Sequence, residues 1–251
     1  MNDFERFKNL RYKDYKIMAQ DDSLSKYQMI GFPDSYREGK EEYIFADIID
    51  KLGIDVEGKG LTFLDLGPGC TDLPYMLIDF CNEHQHRLLV ADCEEMLMKL
   101  PDKENLLKFP GYFPEDSSLM INKFQNSIDY IICYSVLHSV FYQTCIYKFI
   151  DSAVSMLKPG GKLLIGDIPN LSKRRRFFST ESGIKFHQEF SMSNTLPVVN
   201  HYEHEPSKID DSIIFAILQR YRSFGFETYL LPQNRNLPMY NRREDMVICK
   251  T

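Results

Sequence analysis

Four residues have the types and spacing to hold a nucleotide-derived ligand. Asp65, Gly67 and Gly69 fall in Leu64-Asp65-Leu66-Gly67-Pro68-Gly69-Cys70-Thr71-Asp72, and Asp92 ends the next apolar run. Glycines at the end of a buried run permit a tight turn and let a ligand approach the backbone closely. A carboxylate at Asp92 can accept hydrogen bonds from both hydroxyls of a ribose. Thr71 or Asp72 can cap a helix leaving the turn. Two cofactor types compete for such a turn. A dinucleotide lays its pyrophosphate against the glycines, and its G-x-G-x-x-G fingerprint has a third glycine where this chain has Asp72. Asp65 and Asp72 would repel that pyrophosphate. S-adenosylmethionine carries an ammonium and a sulfonium but no phosphate, so the same carboxylates attract it. The charge favours S-adenosylmethionine. An NAD(P)-dependent oxidoreductase is the competing enzyme class, and a module that binds S-adenosylmethionine without turnover is the non-enzymatic alternative.

Lys173-Arg174-Arg175-Arg176 is a basic run. Clustered cations can hold a phosphate or carboxylate, which makes Arg174, Arg175 and Arg176 candidate ligands for an anionic acceptor. The competing reading is a solvated helix face. His187 lies a short way downstream and is a further candidate for acceptor contact. His201 and His204 with Glu203 and Glu205 have metal-ligand side chains. No second ligand arm accompanies them, so no metal is expected.

These residues need elements to position them. Continuous apolar runs at Leu61–Leu66, Arg87–Ala91, Ile128–Tyr134 and Lys162–Gly166 read as strands buried on both faces of a parallel sheet, with a weaker one around Leu106–Phe109. Helical periodicity separates them at Glu38–Leu52, Thr71–Glu83, Glu94–Leu100 and Phe141–Leu157, with a break expected at Lys158-Pro159-Gly160-Gly161. Strands alternating with helices imply right-handed crossovers. Residues 1–35 read as irregular with a short helix. The polar and aromatic stretch from Pro169 to Lys208 reads as a partly helical excursion at the C-terminal end of a strand, where active-site caps occur. A helix at Ile213–Tyr221 and strands at Glu227–Leu231 and Asp245–Cys249 complete the pattern, the last two forming a hairpin at the sheet edge.

Four segments in this order resemble the class I S-adenosylmethionine-dependent methyltransferases. They are Leu64–Gly69, Val90–Leu97, Ile128–His138 and Leu157–Ile165, and the resemblance covers roughly Leu61 to Asp167. It implies an α/β, doubly wound, mostly parallel seven-stranded Rossmann-like sheet with a terminal β-hairpin and a helical or loop cap. Residues 1–55 would be a helical segment covering the site. Residues 56–251 would be the methyltransferase domain, with a cap insertion at about 170–208. The resemblance puts Asp65 near the methionine ammonium, Gly67 and Gly69 against the methionine part and Asp92 on the ribose, with Cys93 beside it. Tyr134 and Ser135 would line the site, and Arg37 would take the methionine carboxylate. Thr71 stands where the family has its third glycine. Gly111-Tyr112-Phe113 stands where the family has a polar or acidic pair, so Tyr112 would flank the adenine. The turn after the fourth strand faces the site in this fold, which makes His138 the candidate general base, and Asp167 at the end of the fifth strand would position the acceptor. The implied reaction is methyl transfer to an oxygen or nitrogen of a small anionic acceptor, such as a nucleotide-linked or acidic sugar.

Composition narrows the partners. The chain has 251 residues, enough for one substantial core. Its 30 Lys and Arg against 36 Asp and Glu give a net charge of −6, which argues against nucleic acid. No apolar run is long enough for a membrane span, and the first residues do not read as a signal peptide. The 6 cysteines form no C-x-x-C pair and are expected as free thiols in the reducing cytoplasm. Oligomeric state stays open.

Overall fold

Apolar strands bury both faces only when helices cover both, and the chain solves this with one central sheet. The computed structural model describes residues 6–7, 9–203 and 205–251. Strands β1 (Thr62–Leu66), β2 (Arg87–Asp92), β3 (Leu106–Pro110), β4 (Ile128–Tyr134), β5 (Leu157–Pro169), β6 (Phe226–Pro232) and β7 (Arg243–Lys250) form a 7-stranded sheet in the order β3-β2-β1-β4-β5-β7-β6. The first five are parallel, with Leu64 beside both Leu89 and Ile131. β7 runs antiparallel between β5 and β6. The doubly wound sheet and terminal hairpin are therefore both present.

The helices are α1 (Tyr12–Ala19), α2 (Lys26–Met29), α3 (Asp34–Arg37), α4 (Glu41–Leu52), α5 (Asp72–Glu83), α6 (Glu94–Leu97), α7 (Ser118–Lys123), α8 (Leu137–Gln143), α9 (Ile146–Met156), α10 (Leu171–Phe178), α11 (Glu181–Ser191) and α12 (Asp211–Ser223). Strand side chains alternate between two cores, as the period of two requires. Phe63, Leu88, Ile132, Leu164 and Val247 meet Ile44, Ile48 and Leu52 of α4 and Leu73, Leu77 and Ile78 of α5. Leu64, Leu89, Ile131, Leu163 and Ile248 meet Phe149, Ile150 and Ala153 of α9 and Ile214, Ile217 and Tyr221 of α12.

Several elements differ from the sequence expectation. The helix expected over Phe141–Leu157 is two, α8 and α9, because Thr144 is extended at φ −147° and ψ −176°. The break lets α8 turn toward the site while α9 keeps its apolar stripe on the sheet. Lys158–Gly161 belongs to β5 as a bulge, since Ile128 pairs with Leu157 and Tyr130 with Lys162. Among those described, the first 35 residues hold α1, α2 and the start of α3 rather than one short helix. They are anchored by a small cluster in which Ala19, Leu24 and Met29 pack on Cys70 and Met96. The stretch after β5 carries α10 and α11, separated where the Thr180 side chain accepts from the Gly183 N–H. Within 192–208 no described residue is helix or strand. No helix among the described residues is long and apolar enough to cross a membrane.

Candidate cofactor and acceptor cavities

The turns after β1, β2 and β4 meet at the C-terminal edge of the sheet, where ligands bind in open α/β folds. Gly67 and Gly69 hold φ +76° and +66°, the left-handed region that favours glycine. A Cβ at Gly67 would stand 2.6 Å from Val136 Cγ2, and one at Gly69 would stand 2.6 Å from Ile30 Cγ2. The turn is thus closed by the start of α8 on one side and by the N-terminal segment on the other. Asp92 locks it: one carboxylate oxygen accepts from the Gly69 N–H at 3.0 Å and the other from the Cys93 N–H at 2.7 Å.

A cavity of about 130 Å³ opens over this turn, and Arg37, Asp65, Gly67, Gly69, Asp92, Tyr112, Tyr134 and Ser135 all line it. These are the residues the sequence named for the cofactor, with one exception. Cys93 does not line the cavity. It is buried in the cluster under the N-terminal segment, and its backbone holds Asp92.

The charges in this cavity are unbalanced. Burial, then the charge of Asp92, pushes the Asp65 carboxyl up to about 8, and no donor among the described residues bonds it. Burial also raises Asp92, against the pull of its two backbone donors. Arg37 is 5% exposed. Its guanidinium lies 5.1 Å from the Phe32 ring centre and 5.6 Å from that of Tyr134. Among the described residues its ion-pair neighbour is Glu41, at 3.7 Å, and both Arg37 Nε and Glu41 Oε1 lack a hydrogen-bond partner. The other Glu41 oxygen accepts from the Leu73 N–H at 2.8 Å, tying Arg37 to the start of α5.

Ser135 and Asp167 carry φ of 61° and 58°. The Ser135 hydroxyl donates to Asp167 at 2.6 Å. Asp167 also accepts from Arg243, while its own N–H donates to Asp245 at 2.7 Å. Asp245 is fully buried and paired with Lys51, which also holds Asp47. Asp167 lines neither cavity. Its carboxylate orients Ser135 and Arg243 instead of facing an acceptor.

A second cavity of about 510 Å³ shares Tyr15, Ile30 and Phe32 with the first as a common wall. Helix α8 serves both: Ser139 and Gln143 line the first, His138 and Tyr142 the second. His138 Nδ1 is buried without a partner among the described residues. Burial, with Arg243 and Lys208 nearby, lowers the imidazole to about 4 despite Asp167, so it is neutral at physiological pH.

The basic run does not act as one patch. Arg174 lines the second cavity. Arg175 pairs with Glu205 at 3.1 Å and Arg176 with Asp211. Helical spacing turns these two from Arg174, toward carboxylates. His187 packs on Phe178 with centroids 6.1 Å apart and lines neither cavity. His204 lies outside the described residues, and among those described no group of three or more His, Cys, Asp or Glu could hold a metal.

Sequence reasoning missed Tyr12, Tyr15, Ile30 and Phe32, which wall the first cavity, because residues 1–35 carry no motif. It also missed Lys208, Arg242 and Arg243 of the second cavity. The pair Arg242-Arg243, set where the last strand begins, was the available signal.

No family model and no curated protein matches the sequence. Solved structures do. The CurJ carbon methyltransferase superposes with a TM-score of 0.58 at 15% identity, covering 99% of this chain and 67% of that one. The plantazolicin methyltransferase BamL, solved with S-adenosylhomocysteine, gives 0.54 at 11% identity over 99% and 97%. A SAM-dependent methyltransferase from Aquifex aeolicus gives 0.51 at 15% identity over 89% and 96%. The chain has the fold of the class I S-adenosylmethionine-dependent methyltransferases.

Proposed function

We propose that the protein is an S-adenosylmethionine-dependent methyltransferase acting on an oxygen or nitrogen of a small anionic acceptor, such as a nucleotide-linked or acidic sugar. The observation that carries this reading is the charge pattern of the first cavity. The buried carboxyl of Asp65, the half-buried one of Asp92 and one under-paired guanidinium, Arg37, surround a glycine turn. A ligand bearing an ammonium, a carboxylate and a ribose satisfies all three at once. A pyrophosphate at the glycine turn would meet Asp65 unfavourably, whereas Asp92 suits the ribose of either cofactor and Asp72, paired with Lys26, lines neither cavity. When bound, S-adenosylmethionine supplies an activated methyl group on its sulfonium.

The chain's part is then to hold and align. Asp65 takes the ammonium, Arg37 the carboxylate and Asp92 the ribose hydroxyls. Tyr112 flanks the adenine, while Tyr134 and Ser135 close the wall. The acceptor occupies the second cavity. His138, neutral and with Nδ1 free, receives the proton of an acceptor hydroxyl. Arg174 attracts the acceptor's negative charge, and Asp167 sets Ser135 and Arg243 in place. The N-terminal segment and the cap at about 170–208 cover the two cavities. Free thiols, buried at Cys70, Cys81, Cys93 and Cys133, suit a reducing cytoplasm.

The test is turnover. The purified chain is incubated with methyl-labelled S-adenosylmethionine and a panel of phosphorylated and carboxylated hydroxyl and amine compounds, and products are read by mass spectrometry. Label should appear in an anionic acceptor and S-adenosylhomocysteine should accumulate with it. Cofactor binding without label transfer to any member would leave a binding module as the better reading.

A further inference from the structure

The second cavity holds an imbalance of its own. Arg174 of α10, Lys208 at the end of the cap and Arg242 just before β7 all line it. Arg243 and Glu205 line it too, but each already has an opposite charge, Asp167 and Arg175 respectively. Among the described residues, Arg174, Lys208 and Arg242 have no carboxylate partner. Arg242 is half-buried, bonded to Asn241 Oδ1 at 3.1 Å and to the Tyr36 side chain. Burial lowers its pKa, and Arg174 and Arg243 push the same way.

Two rings hold these guanidiniums in place. Arg174 lies 5.4 Å from the Phe178 ring centre. Arg242 lies 5.9 Å from the same ring and 5.3 Å from that of Phe186. Rings fix guanidinium planes while leaving their N–H donors available for a planar or tetrahedral anion. Holding like charges together without a counter-ion costs energy that a bound anion returns. Three unpaired cations suit a group carrying about two negative charges, which a phosphate monoester has at neutral pH and a single carboxylate does not.

We infer that Arg174, Lys208 and Arg242 form a phosphoryl-binding site at the cap end of the second cavity, and that the acceptor carries a phosphoryl group there. The inference rests on the proposed function only for the word acceptor; the anion site itself stands on the cation geometry. It is distinct from the four-residue run, of which Arg174 alone takes part.

The experiment is calorimetric titration of the wild type, Arg242→Gln and Lys208→Gln with inorganic phosphate, pyrophosphate and acetate. Titration with S-adenosylhomocysteine runs on the same samples. Phosphate and pyrophosphate should bind the wild type and acetate should bind much more weakly. Each substitution should weaken phosphate by about tenfold and leave S-adenosylhomocysteine within about twofold, since none of the three cations lines the first cavity. Exposed Lys208 provides the second variant if Arg242→Gln folds poorly. Acetate binding as tightly as phosphate, or phosphate binding unchanged in both variants, overturns the site. Loss of S-adenosylhomocysteine binding in the wild type with phosphate binding intact removes the proposed cofactor and leaves the anion site standing.

Discussion

Replacing Asp65 with Asn tests whether the first cavity is built for a cationic group. Burial, then Asp92, pushes the Asp65 carboxyl from 3.8 up to about 8. Between those values the folded chain keeps a proton that the unfolded chain releases. Stability therefore falls as pH rises: the contribution is full below 3.8 and gone above about 8. His138 has the opposite sign, because its imidazole is lowered from 6.5 to about 4 and stability rises with pH across that range. Above pH 6.5 that effect is complete, so Asp65 acts without it up to pH 8. That window of about 1.5 pH units, at about 1.36 kcal/mol each, amounts to about 2 kcal/mol. For a chain of this size the shift is about 4–8 °C in melting temperature. Thermal melts of ligand-free protein, followed by circular dichroism in matched buffers at the two ends of the window, read it directly. The wild type should lose that much stability and Asp65→Asn should not. Comparison with the variant separates Asp65 from Asp92, whose carboxyl is also raised by burial and is present in both proteins. Saturating S-adenosylhomocysteine should flatten the wild-type curve, since its ammonium replaces the proton. Equal pH dependence in the two proteins would refute the burial argument, and undiminished S-adenosylhomocysteine affinity in Asp65→Asn would refute the placement of the ammonium.

The remaining expectations concern the turn, the base and the support behind them. Gly69→Ala places a methyl 2.6 Å from Ile30 Cγ2 at a φ of +66°; it should cost about 1–2 kcal/mol from the backbone alone and weaken S-adenosylhomocysteine at least tenfold by calorimetry, roughly. His138→Gln should lower kcat for a hydroxyl acceptor by about 10²–10⁴ while KM stays near wild type, and added imidazole should restore part of the rate; an unchanged kcat removes His138 from proton transfer. Lys51→Met leaves Asp47 and Asp245 buried without their shared cation, which should cost about 3–5 kcal/mol in urea unfolding. An unchanged midpoint there would show that water reaches the pair.

The sheet was legible because its strands are continuous apolar runs: Phe63-Leu64 and Ile131-Ile132 bury neighbours on opposite faces, which no amphipathic pattern would allow. The residues of the glycine turn that line the first cavity were legible for a related reason. Strand ends position a site with few residues, so Asp65, Gly67, Gly69 and Asp92 could be read from local order. The second cavity was not, because Arg174, Lys208, Arg242 and His138 come from four separate segments and meet only in three dimensions. Local reading went astray there in a specific way. Adjacent residues on a helix point in different directions, so Arg175 and Arg176 met Glu205 and Asp211 while Arg174 alone reached the cavity. Asp167 illustrates the same limit, since its position at a strand end was visible but its engagement by Ser135 and Arg243 was not. The N-terminal wall had no local signature at all, because Tyr12, Tyr15 and Ile30 are set by packing on the Cys70 and Cys93 turns rather than by any motif.

The central claim is that the glycine turn and its acidic partners hold S-adenosylmethionine. Calorimetric titration of the wild type and Asp92→Ala with S-adenosylmethionine and S-adenosylhomocysteine tests it most directly. Both ligands should bind the wild type, and the variant, having lost the ribose acceptor and the bonds that lock Gly69 and Cys93, should bind at least about tenfold more weakly while remaining folded. Folded, ligand-free wild type that binds neither compound would contradict the account.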